Sequence, residues 1–246
     1  MGAVSIALGC TPPAVEPEPS AEREPSAGPA TAPAAARPAV RLERIDVGEG
    51  ARALILLHGY GARGDDLRPL AERLVSALPG TRVVLPAAPV PMGRGRRWFP
   101  RRAEGASGEE LEYAVAAVRQ LLSDVAREGA NELWLGGFSQ GAMLTAELVR
   151  RGQTGLRGVL VLSGATFPHW PADLHALSVP NALVAHGRSD AILPFAEGER
   201  LRAFFTRGGA HMQFVPFDGG HTIPGPVVDA MVSFVRTAES ADGDLE

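Results

Sequence analysis

The pentapeptide Gly137-Phe138-Ser139-Gln140-Gly141 sets a serine between two glycines at the spacing G-x-S-x-G. Its flanks give the motif its meaning. Leu133-Trp134-Leu135 reads as a buried strand, and residues 142–149 read as a helix. A strand, then G-x-S-x-G, then a helix is a nucleophile elbow. Its tight turn holds the serine in a strained backbone conformation and projects the hydroxyl above the sheet. Glycines two before and two after the serine let strand and helix approach without clash. At the helix start the Gln140 backbone N–H is available to a developing oxyanion. The chemistry this arrangement supports is attack of Ser139 on a carbonyl.

Serine is a weak nucleophile. It needs a base to take its proton and a third group to orient that base. In the α/β-hydrolase order, acid and then histidine follow the serine along the chain. Phe217-Asp218-Gly219-Gly220-His221 lies between the last strand and the last helix, and His221 is the expected base. Leu183-Val184-Ala185-His186-Gly187-Arg188-Ser189-Asp190 presents a strand, a glycine turn and an aspartate. Asp190 is the expected orienting acid. Asp218 competes with it but precedes His221 by only three residues and reads as a turn residue. His169 and His175 lie in a proline-containing segment, and His211 starts a strand, so these three read as surface or structural. His186 reads as shaping the strand-end turn. A second oxyanion donor is expected from Leu57-His58-Gly59-Tyr60-Gly61, at the Tyr60 backbone N–H, with His58 bracing the loop.

These residues need a scaffold, and elements of two types alternate along the chain. Strands are expected over residues 41–47, 53–57, 82–85, 133–135, 158–162, 182–185 and 212–215. Helices are expected over 67–78, 109–127, 142–149, 195–207 and 226–237, with Asp65 and Asp66 available to cap the first. The continuous apolar run at 53–57 marks a strand buried on both faces. Alternation of this kind predicts an α/β fold, a mostly parallel central sheet with helices on both faces. Ligands of such sheets bind beyond the carboxyl ends of the strands, where these motifs all fall.

The bulk composition agrees. The 246 residues suit one α/β domain plus a tail, and 45% hydrophobic with 21% charged residues can support a substantial core. A formal net charge of −4 offers no whole-chain attraction to nucleic acid. The one cysteine, Cys10, can form neither an intramolecular disulfide nor a cysteine-rich zinc site. No apolar run approaches the ~20 residues of a membrane-spanning helix.

Three segments are expected: residues 1–40, a catalytic domain at 41–238, and a flexible acidic tail at 239–246. Residues 11–40 are dominated by Pro, Ala, Glu and Ser and read as a disordered linker. The preceding apolar start ends in Gly9-Cys10 and resembles the end of a bacterial lipoprotein signal. That resemblance implies lipidation of Cys10 and a tether to the bacterial cell envelope. The alternative is an apolar start on a flexible tail of a cytoplasmic protein.

From about Ala51 to Val235 the chain resembles the phospholipase/carboxylesterase family, which includes acyl-protein thioesterases and bacterial carboxylesterases. The matching stretches are Leu57-His58-Gly59-Tyr60-Gly61, Pro86-Ala87-Ala88-Pro89, Trp98-Phe99, Leu135-Gly136-Gly137-Phe138-Ser139-Gln140-Gly141, His186-Gly187 followed by Asp190, and Gly220-His221. The resemblance implies an α/β-hydrolase fold. It also implies hydrolysis of carboxylic or thioester bonds to acyl chains, in small-molecule or lipid substrates, without metal or cofactor. Carried over, Trp98 and Phe99 line the acyl pocket or its entrance; otherwise they cover the core. The N-terminal tail and the arginine-dense loop at residues 86–107, whose basic run is residues 93–102, depart from the thioesterase members, which favours a general esterase of short to medium acyl chains over the alternatives of thioesterase or lysophospholipase. That basic loop either is a solvated surface or borders the site and attracts an anionic substrate. Phe167 and Trp170 either floor a pocket or simply pack. A reading of a different class, a non-catalytic binding module on a hydrolase scaffold, stands beside these.

Overall fold

The computed structural model describes residues 41–101, 108–170 and 176–243. Cys10 and the expected linker, His175, Arg102 and the last three residues lie outside them. Nine strands are formed among the described residues: β1 (Arg44–Val47), β2 (Arg52–Leu57), β3 (Thr81–Pro86), β4 (Val90–Met92), β5 (Gly95–Arg97), β6 (Glu132–Phe138), β7 (Gly158–Leu162), β8 (Asn181–Gly187) and β9 (His211–Phe217). Seven of them make one sheet in the order β1-β3-β2-β6-β7-β8-β9. The edge strand β1 runs antiparallel to β3. Every other pairing is parallel.

The apolar runs alternate between two cores. In β2, Ile55 and Leu57 face one buried cluster and Leu54 and Leu56 face the other. The same alternation separates Val159 and Val161 from Leu160 and Leu162 in β7. A strand that faces helices on both sides has no solvent face to make polar, so its sequence reads as a continuous apolar run. Helices α2 (Glu109–Arg127), α3 (Gln140–Arg150) and α4 (Phe195–Arg207) cover the first face. Helices α1 (Arg68–Ala77) and α5 (Gly225–Gly243) cover the second.

Three local features differ from the sequence expectation. The basic loop contains a small hairpin, β4 with β5, paired Val90 to Arg97 through Met92 to Gly95. Both strands are three residues long, too short for any alternation to register in the sequence. Second, a 3-10 turn at Gly64–Leu67 precedes α1, and Asp66 accepts the Arg63 N–H at 2.8 Å just ahead of it. Third, α5 continues to Gly243 and takes in residues 239–243, which the sequence assigned to an acidic tail. Once a helix is nucleated, each further residue adds a hydrogen bond at little cost, and Ala and Glu are good helix formers.

Candidate active site

Strand β6 ends at Phe138 and α3 begins at Gln140, so Ser139 alone makes the turn. Its backbone sits at φ 55°, ψ −114°. For a residue with a β-carbon this is a sparsely populated region, held only because its surroundings fix it, at a cost of about 1–3 kcal/mol. The Ser139 N–H donates to Leu162 O at 2.9 Å, and Ser139 O accepts the Met143 N–H at 3.0 Å. The two motif glycines are steric requirements. A β-carbon on Gly137 would lie 2.3 Å from the Gly141 carbonyl carbon. One on Gly141 would lie 2.1 Å from Leu57 O.

Asp190 and His221 come from the turns after β8 and β9, which are neighbours in the sheet. Their register, Gly187 beside Phe217, brings the two turns together. His221 Nδ1 lies 2.7 Å from Asp190 Oδ2. The other carboxylate oxygen accepts the Ile192 and Leu193 N–H groups, each at 2.9 Å. Burial pushes the Asp190 pKa up, but the hydrogen bonds from His221, Leu193 and Ile192 outweigh it and hold the carboxyl below its ordinary value. Asp190 is therefore a carboxylate near neutral pH and can only accept. The proton of the contact belongs to His221 Nδ1, which leaves Nε2 with its lone pair. The His221 ring packs on Phe138, beside the serine, with centroids 4.7 Å apart. Asp218, the competing acid, is exposed, with its carboxylate 3.6 Å from Arg188.

Ser139, Gln140, His221, His58 and Tyr60 line one cavity of about 780 Å³. Gly59 is close to the serine: a β-carbon there would lie 3.4 Å from Ser139 Cβ. The Gly61 and Ala62 N–H groups donate to Arg96 O and Gly59 O. The Tyr60 N–H meets no acceptor among the described residues. As the first residue of α3, Gln140 has no intrahelical acceptor for its own N–H.

His58 is wholly buried. Its Nε2 accepts the Ala88 N–H at 3.0 Å, so Nδ1 carries the proton and donates to Gly59 O at 2.8 Å. Burial lowers its pKa and keeps it neutral. Both ring nitrogens are thus spent on backbone, Nδ1 on the Gly59 loop and Nε2 on Ala88 of the segment after β3.

Trp98 and Phe99 separate. Phe99 lines the cavity, whereas Trp98 does not. The Trp98 indole is buried, donates to His58 O at 2.9 Å and packs on the His58 ring. Both rings are part of the core, and Phe99 in addition forms part of the cavity wall. Of the basic loop, Arg96 bonds Ala88 O and Glu43, and Arg97 forks onto Glu110. Only Arg101, over the Tyr60 ring at 5.6 Å, reaches the cavity among the described arginines of that loop.

Some residues of the site escaped the sequence reading. The Gln140 side chain accepts the Trp98 N–H and donates to Phe99 O, both at 2.8 Å, and so ties the Trp98–Phe99 segment to the elbow. The glutamine after the serine was visible in the motif, but its partner segment was not. His186 Nε2 lies 2.8 Å from Leu193 O and 3.5 Å from Asp190 Oδ2, behind the acid turn. Met143, Ile192 and Leu193 add to the apolar lining; of the two residues the sequence offered as a pocket floor or as packing, Phe167 lines the cavity and Trp170 packs behind it. Among the described residues no group of three His, Cys, Asp or Glu is placed to share a metal ion.

A model of the family described as Phospholipase/Carboxylesterase matches residues 47–239. The chain belongs to this family. Among the relatives of this phospholipase/carboxylesterase member is the acyl-protein thioesterase 1 of Eremothecium gossypii. It is 28% identical over 211 residues, which is 77% of this chain and 89% of its own. Esterase PE8 superposes with a TM-score of 0.72 at 27% identity, covering 81% of this chain and all of its own. The carboxylesterase of Mesorhizobium loti gives a TM-score of 0.66 at 26% identity, covering 76% of this chain and 90% of its own. The family member described here is a hydrolase of the esterase and thioesterase type.

Proposed function

We propose that the chain is a serine carboxylesterase acting on esters of short to medium acyl chains, with Ser139, Asp190 and His221 as its triad. The observation that carries this reading is the 2.7 Å His221–Asp190 contact beside a cavity that also holds Ser139. Ser139 attacks the carbonyl while His221 Nε2 takes its proton. Asp190 stabilises the imidazolium and keeps it oriented. The Tyr60 and Gln140 N–H groups receive the oxyanion, a role worth about 10²–10³-fold in rate per donor. His221 then returns the proton to the leaving oxygen, and a water activated by the same histidine releases the acyl group from Ser139.

The predominantly apolar lining supports an acyl substrate, and buried aromatic rings within it support a limited acyl length. Thioester cleavage is the second reading, favoured by the likeness to acyl-protein thioesterase 1. Hydrolysis of p-nitrophenyl esters from two to sixteen carbons, beside an acyl-coenzyme A series, tests both. The first reading expects ester turnover with a short to medium optimum that Ser139→Ala abolishes. Turnover confined to thioesters selects the second. Activity on neither series, from a folded protein, leaves the binding-module reading.

A further inference from the structure

Glu147 is a carboxylate on α3, two turns beyond the serine, with a side chain wholly out of solvent. Nothing in the proposed chemistry uses it. Burial opposes its charge, yet hydrogen bonds from Arg150 and Arg151 lower its pKa to about 2. Its oxygens accept Arg150 Nε and Arg151 Nε, each at 2.7 Å. They also accept the Trp170 indole N–H at 2.6 Å, and His169 Nε2 lies 3.4 Å away. A buried charge is costly unless partners converge on it, and here they draw the segment after β7 onto α3.

That segment carries Phe167. The Trp170 N–H closes a turn onto Phe167 O at 3.1 Å. On the other flank, Thr166 donates its N–H and its hydroxyl to Glu197 Oε2 of α4, at 3.2 and 3.0 Å. Phe167 is thus held from both sides by carboxylates on two different helices. Its ring is only 3% exposed, lines the cavity, and packs against Phe99 with centroids 5.3 Å apart. Phe99 is itself tied to the residue after the serine by the Gln140 side chain.

We propose that Phe167, clamped by Glu147 through Trp170 and by Glu197 through Thr166, is the end wall of the acyl cavity and sets the longest chain accepted. This deepens the esterase reading and rests on it. A wall anchored on one side would yield to a longer chain. One fixed to two helices imposes a cut-off, because each methylene that does not fit forfeits about 10–200-fold in kcat/KM.

The test is the ester chain-length profile of the wild type, Phe167→Ala, Phe167→Leu and Trp170→Phe, with fluorophosphonate labelling as the check on folding. Removing the ring should raise the dodecanoate-to-butyrate ratio of kcat/KM at least tenfold, and Phe167→Leu should raise it by part of that. Trp170→Phe keeps the ring but loses the bond to Glu147, and should blur the cut-off without moving the preference for butyrate over acetate. An active wild type whose profile is unchanged in labelled Phe167→Ala and Phe167→Leu overturns the inference while leaving the esterase reading intact. A folded wild type that cleaves no ester overturns both.

Discussion

His221 Nδ1 stands 2.7 Å from Asp190 Oδ2, while Asp190 Oδ1 is occupied by the N–H groups of Ile192 and Leu193. The two oxygens of one carboxylate therefore have separate duties. One is fixed by the backbone of its own turn, and this fixes where the other must meet the imidazole. The direction of that hydrogen bond decides which nitrogen of His221 is free to act as base.

Asp190→Asn tests this division of labour. An amide can present an N–H to His221 Nδ1, which favours the tautomer with its proton on Nε2, the wrong one for a base. Activity on the best ester should fall about 10⁴-fold with little change in KM. Steady-state kinetics with a circular dichroism check on folding will show it. A loss smaller than about tenfold would remove Asp190 from the triad.

Gly187 should be irreplaceable. A β-carbon there would lie 2.3 Å from Gly220 O and 2.5 Å from Gly219 O, in the turn that carries His221. Gly187→Ala should displace that turn while the sheet, paired through the preceding residues of β8, stays formed. Displacement of a catalytic group by about 1 Å can cost roughly 10²-fold. The expected result is a native-like circular dichroism spectrum with kcat/KM reduced by at least that factor.

Glu147 links the fold to pH. Its pKa falls from an ordinary 4.5 to about 2 in the folded chain, where Arg150 and Arg151 bind it. A depressed folded-state value means stability that is complete above the unfolded pKa and lost as pH falls from 4.5 through about 2. Glu147→Gln should be about 2–4 kcal/mol less stable at pH 7, since both arginines lose a partner on a buried group. The gap to the wild type should narrow as pH falls through that window. Urea unfolding midpoints between pH 7 and pH 3 measure it, and a gap independent of pH would contradict the charged role.

The sheet was legible because strands covered on both faces leave continuous apolar runs, as at Leu54 to Leu57 and at Gly158 to Leu162. The turns holding Ser139, Asp190 and His221 were legible because each follows a strand and has glycine beside it, although the strand ahead of His221 is only partly buried and carries Gln213 and Pro216. What stayed hidden depends on partners far away in sequence. Nothing around Trp98 reveals that its N–H will meet Gln140, 42 residues on. Nothing around Glu147 in the sequence reveals that Trp170 and two arginines will close over it. The basic loop read as one patch. The structure divides it into Arg96 and Arg97, committed to Glu43 and Glu110, and Arg101 at the cavity.

Whether Ser139 is an activated nucleophile is tested by reaction of the folded chain with a fluorophosphonate, followed by intact mass and peptide mapping. Only a serine activated by a base should react. The expected result is a single adduct on Ser139, absent in Ser139→Ala and strongly suppressed in His221→Ala. A folded protein that takes up no label, or one whose adduct persists in Ser139→Ala, would contradict it.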